Sequence, residues 1–240
     1  MKNDNELKLN SEKINNRERR IKALKLGLLI SALFLMIIYV ILRVVYEQGA
    51  FIISLDQNFA KKSGIIIYEN DETKESRRIL EAEKKEFVSD TCLDWILVED
   101  SQIDKHSGGP HNGNNHIAYT FYIQNLGNDT VNYWYTILID DVIKNVDEAI
   151  RVMIYLNDER MIYAKPASNG QPETDTIAFY SDDCVLMNQR QGIKEGETDK
   201  MTIVIWVDGP DPDCIDPLIG GQIKMHMEIT EEKLDQNITQ

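Results

Sequence analysis

A chain of 240 residues with 40 Asp and Glu against 26 Lys and Arg carries a formal charge of −14. That length allows one or two domains. Such acidity excludes nucleic acid and anionic lipid headgroups as surfaces for the bulk of the chain. The charge is unevenly spread: residues 1–25 hold eight basic and four acidic side chains, whereas residues 46–240 hold 17 basic and 36 acidic ones.

Residues 1–21 form a polar, Asn-rich basic tail, the composition of a disordered segment. From Leu26 to Leu42 no residue is charged, and Lys25 and Arg43 bracket the run. A helix from Leu24 to Tyr46 reaches roughly 34 Å, enough to cross the hydrocarbon core. Its two flanking cations snorkel to the interfaces, and it shows no polar stripe of the kind a soluble core helix needs. We therefore expect a transmembrane signal-anchor helix over residues 22–46. The basic tail stays cytoplasmic by the positive-inside rule, which puts the C-terminal domain outside the cell membrane. A cleaved signal peptide is the rival reading, but the exit Val45-Tyr46-Glu47-Gln48-Gly49-Ala50 has Gln48 where a small residue is required.

After Ala50 the pattern changes to short strands. Ile223, Met225, Met227 and Ile229 alternate with Lys224, His226, Glu228 and Thr230, a half-buried strand. Ile117, Tyr119, Phe121 and Ile123 alternate in the same way. Residues 133–139 and 201–207 are apolar on both faces and predict central strands. Further strands are expected at 51–55, 64–69, 94–98, 151–156, 161–165 and 176–180. Turns are expected at Asn157-Asp158-Glu159 and Leu126-Gly127-Asn128-Asp129. Residues 142–149 suggest one or two helical turns, and the charged stretch 73–86 a helix or a mobile loop. The expected fold is mainly β: a two-sheet sandwich, Ig-like or jelly-roll-like, over residues 49–231, with a flexible C-terminal tail at 232–240.

Four segments carry a resemblance. Gly49-Ala-Phe-Ile-Ile-Ser-Leu-Asp56 is followed by Ser63-Gly-Ile-Ile-Ile-Tyr-Glu69 and Ile117-Ala-Tyr-Thr-Phe-Tyr-Ile-Gln-Asn-Leu-Gly127. Thr202-Ile-Val-Ile-Trp-Val-Asp-Gly209 then precedes a Gly-Gly pair and a last strand. Together they resemble exported surface proteins of Gram-positive bacteria, the TasA/camelysin group. The resemblance implies a sandwich displayed at the cell surface, in some relatives as a matrix fibre subunit. The uncleaved anchor and long basic tail depart from that group and argue against fibre assembly.

Camelysin-like relatives have been called metalloproteases, which raises the question of zinc. His-Glu-x-x-His is absent. His106, His111 and His116 share one Gly/Asn-rich segment at spacings of five, which matches no known ligand pattern and reads as a solvated loop. His226 falls on the polar face of its strand. No Gly-x-Ser-x-Gly and no phosphate-binding Gly loop occurs. Of Cys92, Cys184 and Cys214, the latter two are expected in loops and as the closer pair, with three free thiols as the alternative. The most specific feature is the acidic loop 208–216, in which Asp208, Asp211, Asp213 and Asp216 surround Pro210 and Pro212. It reads as a stiff turn or as a calcium site. The leading expectation is a tethered cell-surface module with structural or interaction roles and protein partners. The alternatives are an envelope metalloprotease or hydrolase and an accessory subunit of a membrane complex.

Overall fold

The computed structural model describes residues 21–22, 24–40, 51–167 and 169–232. The chain divides into two compact units, Met1–Gly49 and Ala50–Gln240. In the first, residues 24–40 form helix α1, and apolar side chains such as Leu28, Phe34 and Met36 are exposed along it. Among the described residues no helix is long and apolar enough to cross a membrane. Residues 23 and 41–46 of the expected anchor lie outside the described residues, as do tail residues 1–20 and 233–240.

The second unit is mainly β, with two mixed sheets in a sandwich-like arrangement. Sheet A has the order β10-β6-β12-β1-β3. Its strands are β1 (Ile52–Leu55), β3 (Ile79–Glu81), β6 (Val131–Ile143), β10 (Cys184–Ile193) and β12 (Gln222–Thr230). Sheet B has the order β2-β5-β11-β7-β8-β9, with β4 also paired to β5. It is built from β2 (Ile65–Tyr68), β4 (Gly109–Pro110), β5 (His116–Asn125), β7 (Ile150–Leu156), β8 (Glu159–Ala164), β9 (Ile177–Ala178) and β11 (Thr198–Val207). The β1–β12 and β8–β9 pairs are parallel and the rest antiparallel. Two short helices complete the unit, α2 (Gln57–Ser63) and α3 (Leu93–Glu99).

Local chemistry explains several joints. Asp56 caps α2 by accepting from the Phe59 amide at 2.7 Å, and Gly64 ends it in the left-handed region at φ 77°. Asn157, at φ 54°, turns β7 into β8 as expected from its sequence. The main core lies between the sheets. Ile53, Tyr133, Ile137, Met227 and Ile229 of sheet A face Phe121, Val152, Ile154, Met201 and Ile203 of sheet B. A smaller apolar cluster of Ile96, Ile103, Ala118, Met153, Val204 and Trp206 lies on the other side of sheet B. Both faces of β11 are thus buried, which accounts for the residues 201–207 being apolar on both sides apart from Thr202.

Several expectations are corrected. Residues 94–98 belong to α3, because Leu93, Ile96 and Leu97 recur at helical spacing and pack on the outer cluster. The β5 strand is not half-buried: Ala118 and Thr120 on its outer side are covered too. Cys184 begins β10 instead of lying in a loop, and all three cysteines are free thiols, so the expected Cys184–Cys214 pair is not formed. Burial pushes the Cys184 thiol up to about 11. The charged stretch 73–86 contributes β3 instead of a helix. Strand β6 runs on to Ile143, leaving a single 3₁₀ turn at Val146–Ala149 of the helical turns expected there.

Candidate functional site

The outer face of sheet B collects most of the chemistry-bearing residues. Strand register sets it out in rows. In the first row Arg151 of β7, Trp206 of β11 and His116 of β5 stand side by side. Met153, Val204 and Ala118 form the second, and Tyr155, Thr202 and Thr120 the third. Three segments roof these rows: α3, the histidine segment 104–116, and the acidic loop 208–216.

Over the first row the acidic loop meets a buried cation. The Arg151 guanidinium donates to Asp211 Oδ2 at 2.5 Å, and the two side chains are 6% and 0% exposed. Arg151 also lies 3.6 Å from Asp208, which accepts from Trp206 Nε1–H at 3.1 Å. The Asp213 amide donates to Asp211 Oδ1 at 2.7 Å. Arg151 therefore supplies an internal cation where the sequence pointed to calcium. Of the four expected ligands, Asp211 and Asp213 come together with Glu173, their donor atoms within 4.8 Å of one another. Asp208 and Asp216 do not join that group, and Asp216 opens a 3₁₀ turn.

His116 sits in the same row with 1% exposure, and neither ring nitrogen has a hydrogen-bond partner. Desolvation holds its pKa below the ordinary value of 6.5, although Glu99 Oε2 lies 3.8 Å away. Its ring packs against the backbone of Gly113, where an added Cβ would come within 2.0 Å of Cε1. The glycine is required there by close approach.

Over the third row sits a second histidine cluster. His106 Nε2 and Asp100 Oδ2 are 2.6 Å apart, and the Gln102 amide donates to Asp100 Oδ1 at 3.0 Å. The His106 and His111 rings stack at 4.0 Å. His111 Nε2 is 2.9 Å from Thr120 Oγ1, itself 2.7 Å from Thr202 Oγ1. Burial depresses the His111 pKa to about 4. The histidine segment is thus docked on the sheet and not solvated as its composition suggested. Asp100 was not singled out from sequence, because only the fold brings it beside His106.

Between these roofing segments runs an open groove, lined chiefly by Asp90, Cys92, Trp95, Val98, Glu99 and Pro210. Helix α3 explains its chemistry. Leu93, Ile96 and Leu97 face the sheet, so Trp95 and Val98, one turn apart, point away and are 68% and 75% exposed. The groove walls are tied together: the Asn114 amide donates to Glu99 at 2.9 Å, the Ser89 amide to Asn115 Oδ1 at 3.1 Å, and the Gly209 amide to the Thr91 carbonyl at 2.8 Å. His226 lies apart, on sheet A, between Asp140 at 2.8 Å and Glu228 at 3.4 Å.

No protein-family model matches the chain, and no curated protein does. Among solved structures, the β-glucosidase from Kluyveromyces marxianus in complex with glucose is similar at 12% identity and a TM-score of 0.29, over 72% of this chain and 17% of that one. Its selenomethionine-labelled form aligns at 13% identity with the same TM-score and coverage. The chain spans only 17% of the enzyme it aligns with.

Proposed function

We propose that this protein is a membrane-tethered, extracytoplasmic β-sandwich that acts as an interaction module of the cell envelope. Residues 22–46 are its anchor, and the groove on the outer face of sheet B is its binding surface. The observation that carries the reading is the pairing of exposed Trp95 and Val98 with carboxylates Asp90 and Glu99 in one groove. Aromatic side chains are the usual anchors of protein recognition. Acidic walls on a domain with 36 acidic and 17 basic residues select a cationic, partly apolar protein segment. The basic excess before residue 26 supports a cytoplasmic N-terminus. A jelly-roll or Ig-like display scaffold at the surface of a Gram-positive cell is what the resemblance of the strand segments adds.

Two measurements test this. Protease added to intact cells removes the acidic domain and leaves the tail; an epitope at Gln240 protected until lysis overturns the topology. A synthetic peptide alternating Lys with Leu binds the detergent-solubilised chain, shifts its Trp emission to the blue and loses affinity as salt rises. Trp95→Ser abolishes that binding and, being at an exposed site, changes stability by no more than about 0.5 kcal/mol. Equal binding by wild type and variant removes the groove from the proposal.

A further inference from the structure

We infer that Asp100, His106 and His111 form a binding site for a divalent transition metal of the zinc type, which clasps the loop after α3 to the outer face of sheet B. The three residues come from one segment, yet the fold, not their spacing, assembles them. Each offers one donor atom within 4.8 Å of the other two. Two imidazoles and one carboxylate are a donor set that suits zinc and its neighbours, and not calcium or magnesium, which prefer oxygen alone.

The surroundings are built like a ligand shell. His111 Nε2 is engaged by Thr120 Oγ1 at 2.9 Å, and Thr120 is held by Thr202 at 2.7 Å across the β5–β11 pair. With Nε2–H donating to that hydroxyl chain, the lone pair rests on Nδ1. That atom is buried and has no partner. A histidine whose far nitrogen is fixed by a hydrogen bond while its near nitrogen is bare has the arrangement of a metal ligand. Asp100 is oriented in the same way by the Gln102 amide at 3.0 Å, which leaves Oδ2 for the ion. Oδ2 and His106 Nε2 are 2.6 Å apart, so an ion replaces one hydrogen bond with two coordinate bonds.

Zinc takes nitrogen and carboxylate oxygen at about 2.0–2.2 Å, which sets tetrahedral donors roughly 3.3 Å from one another. Asp100 Oδ2 and His106 Nε2, 2.6 Å apart, therefore part slightly to admit the ion, and the wider donor pairs, all within 4.8 Å, close on it. The loop is free to do so, because the His106 side chain is 38% exposed. The same exposure leaves a fourth position to water. Binding would fix Asp100 at the end of α3 to His111, whose amide donates to the Ala118 carbonyl at 2.9 Å. The inference is independent of the anchor and of the groove.

The test uses the full chain in detergent, stripped with EDTA and then titrated with zinc chloride alone. Wild type retains one equivalent of zinc after desalting, and its melting temperature rises by several degrees with saturation. Cobalt in place of zinc gives a visible absorption band. Asp100→Asn and His106→Gln, both at partly exposed sites, keep the metal-free melting temperature and lose the shift, the equivalent and the band. Asp213→Asn and His226→Gln, which alter the two other clusters, keep all three. No retained zinc in wild type, or zinc retained equally by Asp100→Asn and His106→Gln, overturns the site.

Discussion

The outer faces of the two sheets are built on different principles. Sheet A shows an alternating strand to solvent: Met225, Met227 and Ile229 of β12 are buried, and Lys224, His226 and Glu228 lie on the other side only partly covered. Sheet B is roofed by α3 and two loops, and its outer rows contain Arg151, Thr120, Thr202 and His116, all buried. A polar group under a roof must find a partner or carry a desolvation penalty. On the outer face of sheet A such groups stay partly exposed, with Thr136 of β6, whose buried hydroxyl has no partner, as an exception. The roofed face is therefore where single substitutions cost most, and where pairing is most specific.

The sharpest way to break this contrast is Arg151→Met. It leaves Asp211 buried without its cation, and we expect a loss of about 3–5 kcal/mol in urea unfolding. Adding Asp211→Leu removes the orphaned charge and recovers most of that loss. In the inter-sheet core, Ile203→Val costs only about 0.5–1.5 kcal/mol. An Arg151→Met loss no larger than that of Ile203→Val would mean the pair is solvated and the roof loose.

Gly113→Ala probes the roof from above. The new methyl collides with the His116 ring, and overpacking of this kind costs about 1–3 kcal/mol. Wild-type stability would show that the segment slides freely over the sheet.

The histidines turn the contrast into opposite pH dependences. His116 is held below the ordinary 6.5 mainly by desolvation, so the unfolded chain binds its proton more readily. Its contribution is full above pH 6.5 and is lost as pH falls through the depressed folded value. His226 is raised above 6.5, first by its hydrogen bond to Glu228 and also by Asp140. Its contribution is full below pH 6.5 and fades as pH rises through the raised folded value. Unfolding measured from pH 4.5 to 8.5 should show acid sensitivity reduced in His116→Gln, and the alkaline-side decline reduced in His226→Gln. Identical profiles for both variants would erase the distinction between the faces.

The smallest effect is expected from calcium. With Arg151 already on Asp211, millimolar calcium should leave the melting temperature where magnesium at equal ionic strength leaves it. A calcium-specific rise lost in the fourfold Asp→Asn variant of 208, 211, 213 and 216 would show that the loop binds calcium even with Arg151 on Asp211.

What the sequence made legible follows the same division. Period-two alternation located β12 and β5, and apolar runs interrupted by Thr136 and Thr202 located β6 and β11. Alternation reported covered faces correctly for β12 but not for β5, whose outer side is roofed by segments distant in sequence. The Asn157 hairpin was legible from turn chemistry. The 94–98 segment failed as a strand because five apolar-rich residues fit both periods until one knows which side is covered. Strand β10 was invisible, since its second half, Asn188-Gln-Arg-Gln-Gly192, is polar where it forms a sheet edge. The acidic loop was recognised as special, but its cation comes from Arg151, 60 residues away in sequence. The grouping of Asp100 with His106 and His111 likewise required the loop's path over Thr120. Contacts of that separation leave no local pattern.

The parallel pairing of β1 with β12 joins Ile52 to His226 and Leu55 to Ile229. Strand β12 also lies between β1 and β6, so sheet A has no centre until the chain has been made almost to its last strand. Contacts this far apart close slowly, because the chain entropy of the intervening loop is lost before they form. A nascent chain truncated before residue 222 therefore holds two separated halves of a sheet, each with an open edge, and is a target for chaperones and proteases. Synthesis of the domain is effectively all-or-nothing: its first strand waits for its last.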